Sequence, residues 1–199
     1  MNYFTIATVS TGEFRDKGSK FFAFVHPIES LDTYKINLQD YKSAHPKACH
    51  VCSAYRLYSN GQLNEYMSDD GEPRGSSGPP ILNSIKRHNI INTAVYVVRY
   101  FGGSKLGIPG LINAYGAGVE AALLNIDKNL WKPTMLVSVE HGYEHSNIVD
   151  IVVDKFDGRI INQVFGVSIE STIQLDEGGN VEFDKFLFEK SNGKLSVKR

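Results

Sequence analysis

The sequence predicts a two-domain α+β protein. Short runs rich in β-branched and aromatic residues alternate with segments of helical period. The stretch Asp127–Pro133 (DKNLWKP) interrupts that alternation and separates an expected first domain, 1–130, from a second, 134–199. The second reads strand, helix, strand, strand, helix, strand, which is the βαββαβ order of ferredoxin-like domains.

In the first domain, Lys20–His26 (KFFAFVH) is a short aromatic run that predicts a strand, ended by Pro27. Glu29–Ser43 places Leu31, Tyr34, Leu38 and Tyr41 three and four apart, the spacing of an amphipathic helix. His45-Pro46 stops it, because the residue before a proline disfavours the helical region. Ala48–Tyr58 predicts a strand, Asn60-Gly61 a hairpin turn, and Leu63–Ser68 the return strand. Asp69–Pro80 (DDGEPRGSSGPP) is dense in glycine and proline and predicts a loop.

Pro79-Pro80 suits the first turn of a helix, where a missing N–H costs nothing, with Ser76 or Ser77 as cap. Thr93–Phe101 (TAVYVVRYF) is nearly continuous in hydrophobicity, as expected of a central strand. Gly102-Gly103 breaks it. Gly110–Leu124 predicts a helix whose small residues Ala114, Gly118 and Ala122 allow close approach to a sheet; a mid-helix glycine costs about 1 kcal/mol, so close packing is its expected compensation.

In the second domain the expected strands are Met135–Glu140, Gly158–Val164, Ser168–Leu175 and Leu195–Lys198. The expected helices are Ser146–Phe156, capped by Ser146 or Asn147, and Val181–Glu189.

A net charge of −1 excludes a general attraction to polyanions, so any nucleic-acid contact must be a local patch. No apolar run approaches the length of a membrane span, and no signal-peptide pattern opens the chain. Two neighbouring cysteines do not make a disulfide framework. The expectation is a cytoplasmic protein with reduced thiols and no cofactor.

Four clusters carry chemistry. Cys49-His50-Val51-Cys52, with His45 upstream, invites a zinc or redox reading, but no second ligand pair exists. On a strand, residues three apart face opposite sides, so Cys49 and Cys52 diverge. We expect instead that His50 and Arg56 lie on an exposed polar face used for binding.

Asp69, Asp70, Glu72 and Arg74 form an acidic turn that could hold a divalent cation, work as acid and base, or simply be solvated. EF-hand spacing is absent, since the twelfth residue from Asp69 is Pro80. Arg99–Gly110 (RYFGGSKLGIPG) joins a strand to a helix N-terminus, as an anion cradle or a tight turn would; it is neither a Walker A loop nor GxGxxG. Lys17-Gly18-Ser19-Lys20 is a basic turn.

Together the segments KGSKFFAFVHPI (17–28), HPKACHVCSAYRL (45–57), DDGEPRGSSGPPIL (69–82) and NTAVYVVRYFGGSKLGIPGLINAYGAGVEAAL (92–123) resemble the YigZ/IMPACT family. The resemblance implies a ribosomal-protein-S5-domain-2-like first domain and a ferredoxin-like second domain, similar to domains four and five of elongation factor G. It implies a role near translation, since eukaryotic relatives act in translational control through a protein partner. Its polar motif positions fall on Lys17, Ser19, Lys20, His45, His50, Tyr55 and Arg56, then on Asp69, Asp70, Glu72 and Pro73, and finally on Arg99, Tyr100, Lys105 and Tyr115. Pro109 stands where the family usually has glycine and Pro79 where it usually has a basic residue.

The leading expectation is a non-enzymatic binding protein that contacts RNA, the ribosome or a translation-related protein. Neither membrane binding nor DNA specificity is expected. The alternatives are a small hydrolase or divalent-metal enzyme using His50 with Asp69, Asp70 or Glu72, and a regulatory scaffold that binds protein alone.

Overall fold

The computed structural model describes residues 2–59, 61–124 and 126–198, and the chain divides into two units, Met1–Trp131 and Lys132–Arg199. Asn60, half of the expected hairpin turn, lies outside the described residues.

The strands of the first unit are β1 (Tyr3–Ile6), β2 (Ser10–Asp16), β3 (Ser19–Pro27), β4 (His50–Ser59), β5 (Gln62–Ser68), β6 (Thr93–Tyr100) and β7 (Lys128–Trp131). Its helices are α1 (Leu31–Ala44), α2 (Gly78–Arg87) and α3 (Gly107–Leu123). Five strands form one antiparallel sheet in the order β2-β3-β6-β4-β5, while β1 and β7 pair in a separate ribbon. β6 sits in the middle, and every residue from Thr93 to Arg99 is buried, which is why its hydrophobicity does not alternate.

Both faces of the sheet carry helices. On one face, Phe21, Ala23, Cys52, Ala54 and Val97 pack with α2 and α3 in a single apolar cluster. The small stripe of α3 allows this: a Cβ placed on Gly118 would lie 3.7 Å from the Phe21 Cβ, ordinary contact distance. On the other face, Tyr34 of α1 packs with Ile28, Leu57 and Tyr96. Ser30 caps α1, its hydroxyl accepting from the Thr33 amide at 3.1 Å.

Two expectations need correction. The face of β4 that holds His50, Cys52, Ala54 and Arg56 is not an exposed polar face: α2 and α3 cover it, and Cys52 and Ala54 are completely buried. Nor does a serine cap α2. Ser77 stands at the N-cap position without a side-chain cap bond, and the buried Ser76 hydroxyl has no partner among the described residues. The cap comes from outside the helix, as described below.

The strands of the second unit are β8 (Thr134–His141), β9 (Arg159–Phe165), β10 (Ile169–Asp176) and β11 (Val197–Lys198), with helices α4 (Ser146–Lys155) and α5 (Asn180–Lys190). The strand order is β11-β8-β10-β9, antiparallel throughout. Val139, Val152, Ile173, Phe183 and Leu187 fill its core. Neither Ser146 nor Asn147 caps α4, because a 3₁₀ turn at Tyr143–His145 leads into it and Ser146 is already helical.

Candidate functional site

At one end of the five-stranded sheet, the loop after β5, the start of β4 and the turn after β6 meet. Asp69 organises the loop. Its carboxylate accepts from the Gly75 amide at 2.8 Å, the Ser77 amide at 3.0 Å, the Ser77 hydroxyl at 2.8 Å and the Gly78 amide at 2.8 Å. It thereby satisfies N–H groups at the start of α2, the task a local cap residue usually performs. Burial opposes ionisation of Asp69, but these donors outweigh it and hold its pKa below the ordinary carboxylate value.

Asp70 adopts a left-handed backbone (φ 44°), which turns its side chain back toward β4. One carboxylate oxygen accepts from the Val51 amide at 2.7 Å and the other from the Lys42 ammonium at 2.6 Å. The Asp70 carbonyl accepts from His50 Nδ1 at 2.8 Å. A carbonyl only accepts, so Nδ1 carries the hydrogen, and in the neutral ring Nε2 is the acceptor. Nε2 lies 4.0 Å from Glu72 Oε1, beyond hydrogen-bond reach.

Glu72 is nearly buried. Its Oε1 accepts from Arg99 at 2.5 Å and from the Tyr115 hydroxyl at 2.7 Å. Tyr115, fully buried, has its pKa pushed far up, first by burial and then by Cys52 and Glu72, so it stays a neutral donor. Burial also pushes the Cys52 thiol up to about 12. That thiol donates to the Asp69 carbonyl at 3.1 Å. Cys49 is exposed just before β4, outside the strand expected to hold it, while Cys52 is buried within that strand. Among the described residues, no group of three or more His, Cys, Asp or Glu is placed to hold a metal ion.

Next to this network an open notch of about 410 Å³ is lined by Glu72, Pro73, Arg99, Phe101 and Lys105. Arg99 is only 7% exposed, and its Nε has no hydrogen-bond partner in the protein among the described residues. Lys105 is exposed on the rim, and Arg74 is exposed on the acidic turn. The turn after β6 is held against the turn before β3: the Gly102 amide donates to the buried Ser19 hydroxyl at 3.1 Å. A Cβ on Gly102 would fall 1.9 Å from the Gly18 carbonyl carbon, so only glycine fits there.

Around that contact a second depression, about 590 Å³, exposes Lys20, Phe22, Tyr100 and His45. His45 Nδ1 lies 2.8 Å from the Tyr100 hydroxyl. Lys17, also exposed, sits in the adjoining turn at φ 44°.

Of the sixteen polar-cluster and motif residues named from the sequence, fourteen thus fall at this end of the sheet; Tyr55 does not, and neither does Arg56. It pairs with Thr93 while His50 pairs with Arg99, which places Arg56 about 20 Å away along the strand. There it is buried, donating to Glu65 at 2.9 Å and to the Ile90 carbonyl at 3.0 Å. Its role is to tie β4 to β5 and to the turn before β6. Sequence reasoning missed Lys42, which lies one helical turn before the His45-Pro46 stop, and Phe101, the last aromatic of the β6 run and 49% exposed.

Every carboxylate of the acid–base reading is already committed. Asp69 serves the loop amides, Asp70 serves Lys42 and β4, and Glu72 serves Arg99 and Tyr115. Among the described residues, His50 has no carboxylate within the roughly 2.6–3.2 Å that proton transfer needs.

A family model, the Impact N-terminal domain, matches residues 17–123. A protein of Haemophilus influenzae named as an IMPACT family member is 31% identical over 182 residues, covering 91% of this chain and 88% of that one. The Bacillus subtilis IMPACT family member YvyE is 28% identical over 197 residues, 99% of this chain and 90% of that one. A solved crystal structure of a hypothetical protein superposes with a TM-score of 0.73 at 27% identity, over 98% of this chain and 96% of that one. Most of the motif positions converge at one end of one sheet, and the relatives match over nearly the full length, so this chain belongs to the IMPACT family.

Proposed function

We propose that this protein is a non-enzymatic, cytoplasmic binding protein acting near translation, and that its first unit contacts RNA or the ribosome through the notch beside Glu72 and Arg99. One observation carries the reading: Arg99, nearly buried and held in place by Glu72, lines an open notch that has the exposed Lys105 on its rim. Such a pairing of fixed and mobile cation suits a phosphate oxygen. The net charge of −1 gives no general pull on a polyanion, so the attraction has to be local.

The link to translation rests on the family resemblance, whose eukaryotic members act in translational control. The same resemblance leads us to read the first unit as ribosomal-protein-S5-domain-2-like. The order β11-β8-β10-β9 supports reading the second as ferredoxin-like. The commitment of all three carboxylates weighs against the hydrolytic alternative.

The test is association of the full chain with purified ribosomes and with RNA across a salt series, for the native protein and for Lys105→Glu. We expect binding that weakens with salt, with Lys105→Glu weaker still and its slope of log K against log salt shallower by about 1. Association no better than that of a size-matched acidic control, without salt dependence, would refute the reading. Partner capture that survives nuclease would favour the protein-only scaffold.

A further inference from the structure

α1 covers only part of its face of the sheet. What it leaves open is set by register. Across three strands, Arg15, Lys20 and Tyr100 stand in one row, since Arg15 pairs with Lys20 and Lys20 with Tyr100. Phe22 and Phe24 follow on the same face of β3, two and four residues along, and both are only half-buried.

The Phe22 and Tyr100 rings meet edge to face at 6.0 Å, and Phe24 is stacked against Tyr41 at 4.4 Å, so neighbours fix all of these rings in place. Phe101, 49% exposed, lines both this depression and the notch described above. A core does not need aromatic rings on its solvent side, and an ordinary open sheet face alternates to polar residues.

The charge pattern narrows the occupant. Lys20 lines the depression, and Arg15 and Lys17 flank it. In the same register, the carboxylate on this open face is Glu13, opposite Phe22, and it is ion-paired with Arg15. Fixed rings with Lys20 and Lys17 beside them match an extended chain that carries flat aromatic groups on an anionic backbone. We infer that the open half of this face is a stacking platform for the bases of single-stranded RNA, with the phosphates running along Lys20 toward Lys105. An apolar peptide would gain nothing from the cations, and a duplex would hide its base faces.

This rests on the RNA reading of the notch and extends it from phosphate contact to base contact. The probe is an octauridylate, compared with an abasic oligomer of the same length and charge, in titrations of the full chain. The native protein should prefer the base-bearing oligomer by about tenfold, as expected when stacking supplies the difference.

Phe22→Leu keeps apolar bulk but removes the ring face, and Phe101→Ala alters an exposed side chain that the fold does not need. Each should cut affinity for octauridylate several-fold and leave affinity for the abasic oligomer and the salt slope unchanged. Equal binding of the two oligomers, or unchanged affinity in both variants, overturns the platform. If Lys105→Glu abolishes binding while both aromatic variants bind normally, the platform fails and the notch stands. If the aromatic variants weaken binding while Lys105→Glu and salt do not, the notch fails and the platform stands.

Discussion

The two units differ in what they bury. In the first, the buried set includes Arg56, Glu72 and Arg99, three charged side chains. In the second, the buried polar groups are His141, Ser171 and Ser191, and the core is otherwise aliphatic and aromatic. Its ion pairs lie at the surface, as with Lys198 beside Glu140 and Glu170. Burying a charge is expensive unless it is paired, and a paired one is usually no better than an apolar filling of the same shape. The first unit therefore gives up stability to fix Glu72 and Arg99 at one end of its sheet and Arg56 farther along it. The second makes no such concession and reads as a conventional domain core.

The largest effect should come from splitting the buried pair. Glu72→Ala leaves Arg99 buried without its counter-charge and should cost about 3–5 kcal/mol by equilibrium urea unfolding. Replacing both partners with Met should recover most of that loss. If Glu72→Ala costs no more than a surface substitution, the contrast between the units is wrong. In the second unit, Leu187→Ala should cost about 2–5 kcal/mol through the cavity it leaves, with the same loss at pH 4 and pH 7, because nothing titratable takes part.

Asp69 sharpens the contrast by its pH dependence. Its folded pKa lies below the ordinary value. Its contribution is therefore present above the unfolded pKa, about 3.9, and is lost as pH falls through the folded value. Asp69→Asn should cost about 1–2 kcal/mol at pH 7, in the range of a lost helix cap. That difference should shrink on acidification below about pH 4. A difference that stays constant down to pH 2 would show that the loop does not depend on the ionised carboxylate.

The smallest effect separates the two cysteines. Burial holds the Cys52 thiol protonated, with a pKa near 12, while Cys49 is exposed. At pH 8 a thiol reagent should modify Cys49 in the native protein and reach Cys52 only on unfolding. Equal rates at both positions would mean that β4 opens readily.

Much of this was legible in the sequence, and what escaped had physical reasons. The run at 93–101 marked a strand because a strand buried on both faces need not alternate, and the run at 20–26 marked one by its aromatic enrichment. The small stripe on α3 announced its close packing. β2 (STGEFRD) was invisible, because an edge strand with one solvated face carries little hydrophobic signal. β1 and β7 escaped because each is a four-residue segment that makes sense only beside the other.

At the candidate site, residue identity was readable and partnership was not. Nothing in DDGEP says that the first carboxylate caps a helix, the second grips β4 and the third neutralises an arginine from another strand. Arg56 was misplaced for a related reason. Strand alternation put it on the same face as His50, but alternation fixes a face and not a position along it.

The most direct measurement is an amide NMR titration of the isotope-labelled full chain with octauridylate. Shifts should cluster at Lys20, Phe22, Tyr100, Phe101 and Lys105, with the amides around Arg56 unmoved. Shifts confined to residues 132–198, or none at concentrations where ribosomes bind, would contradict the RNA reading.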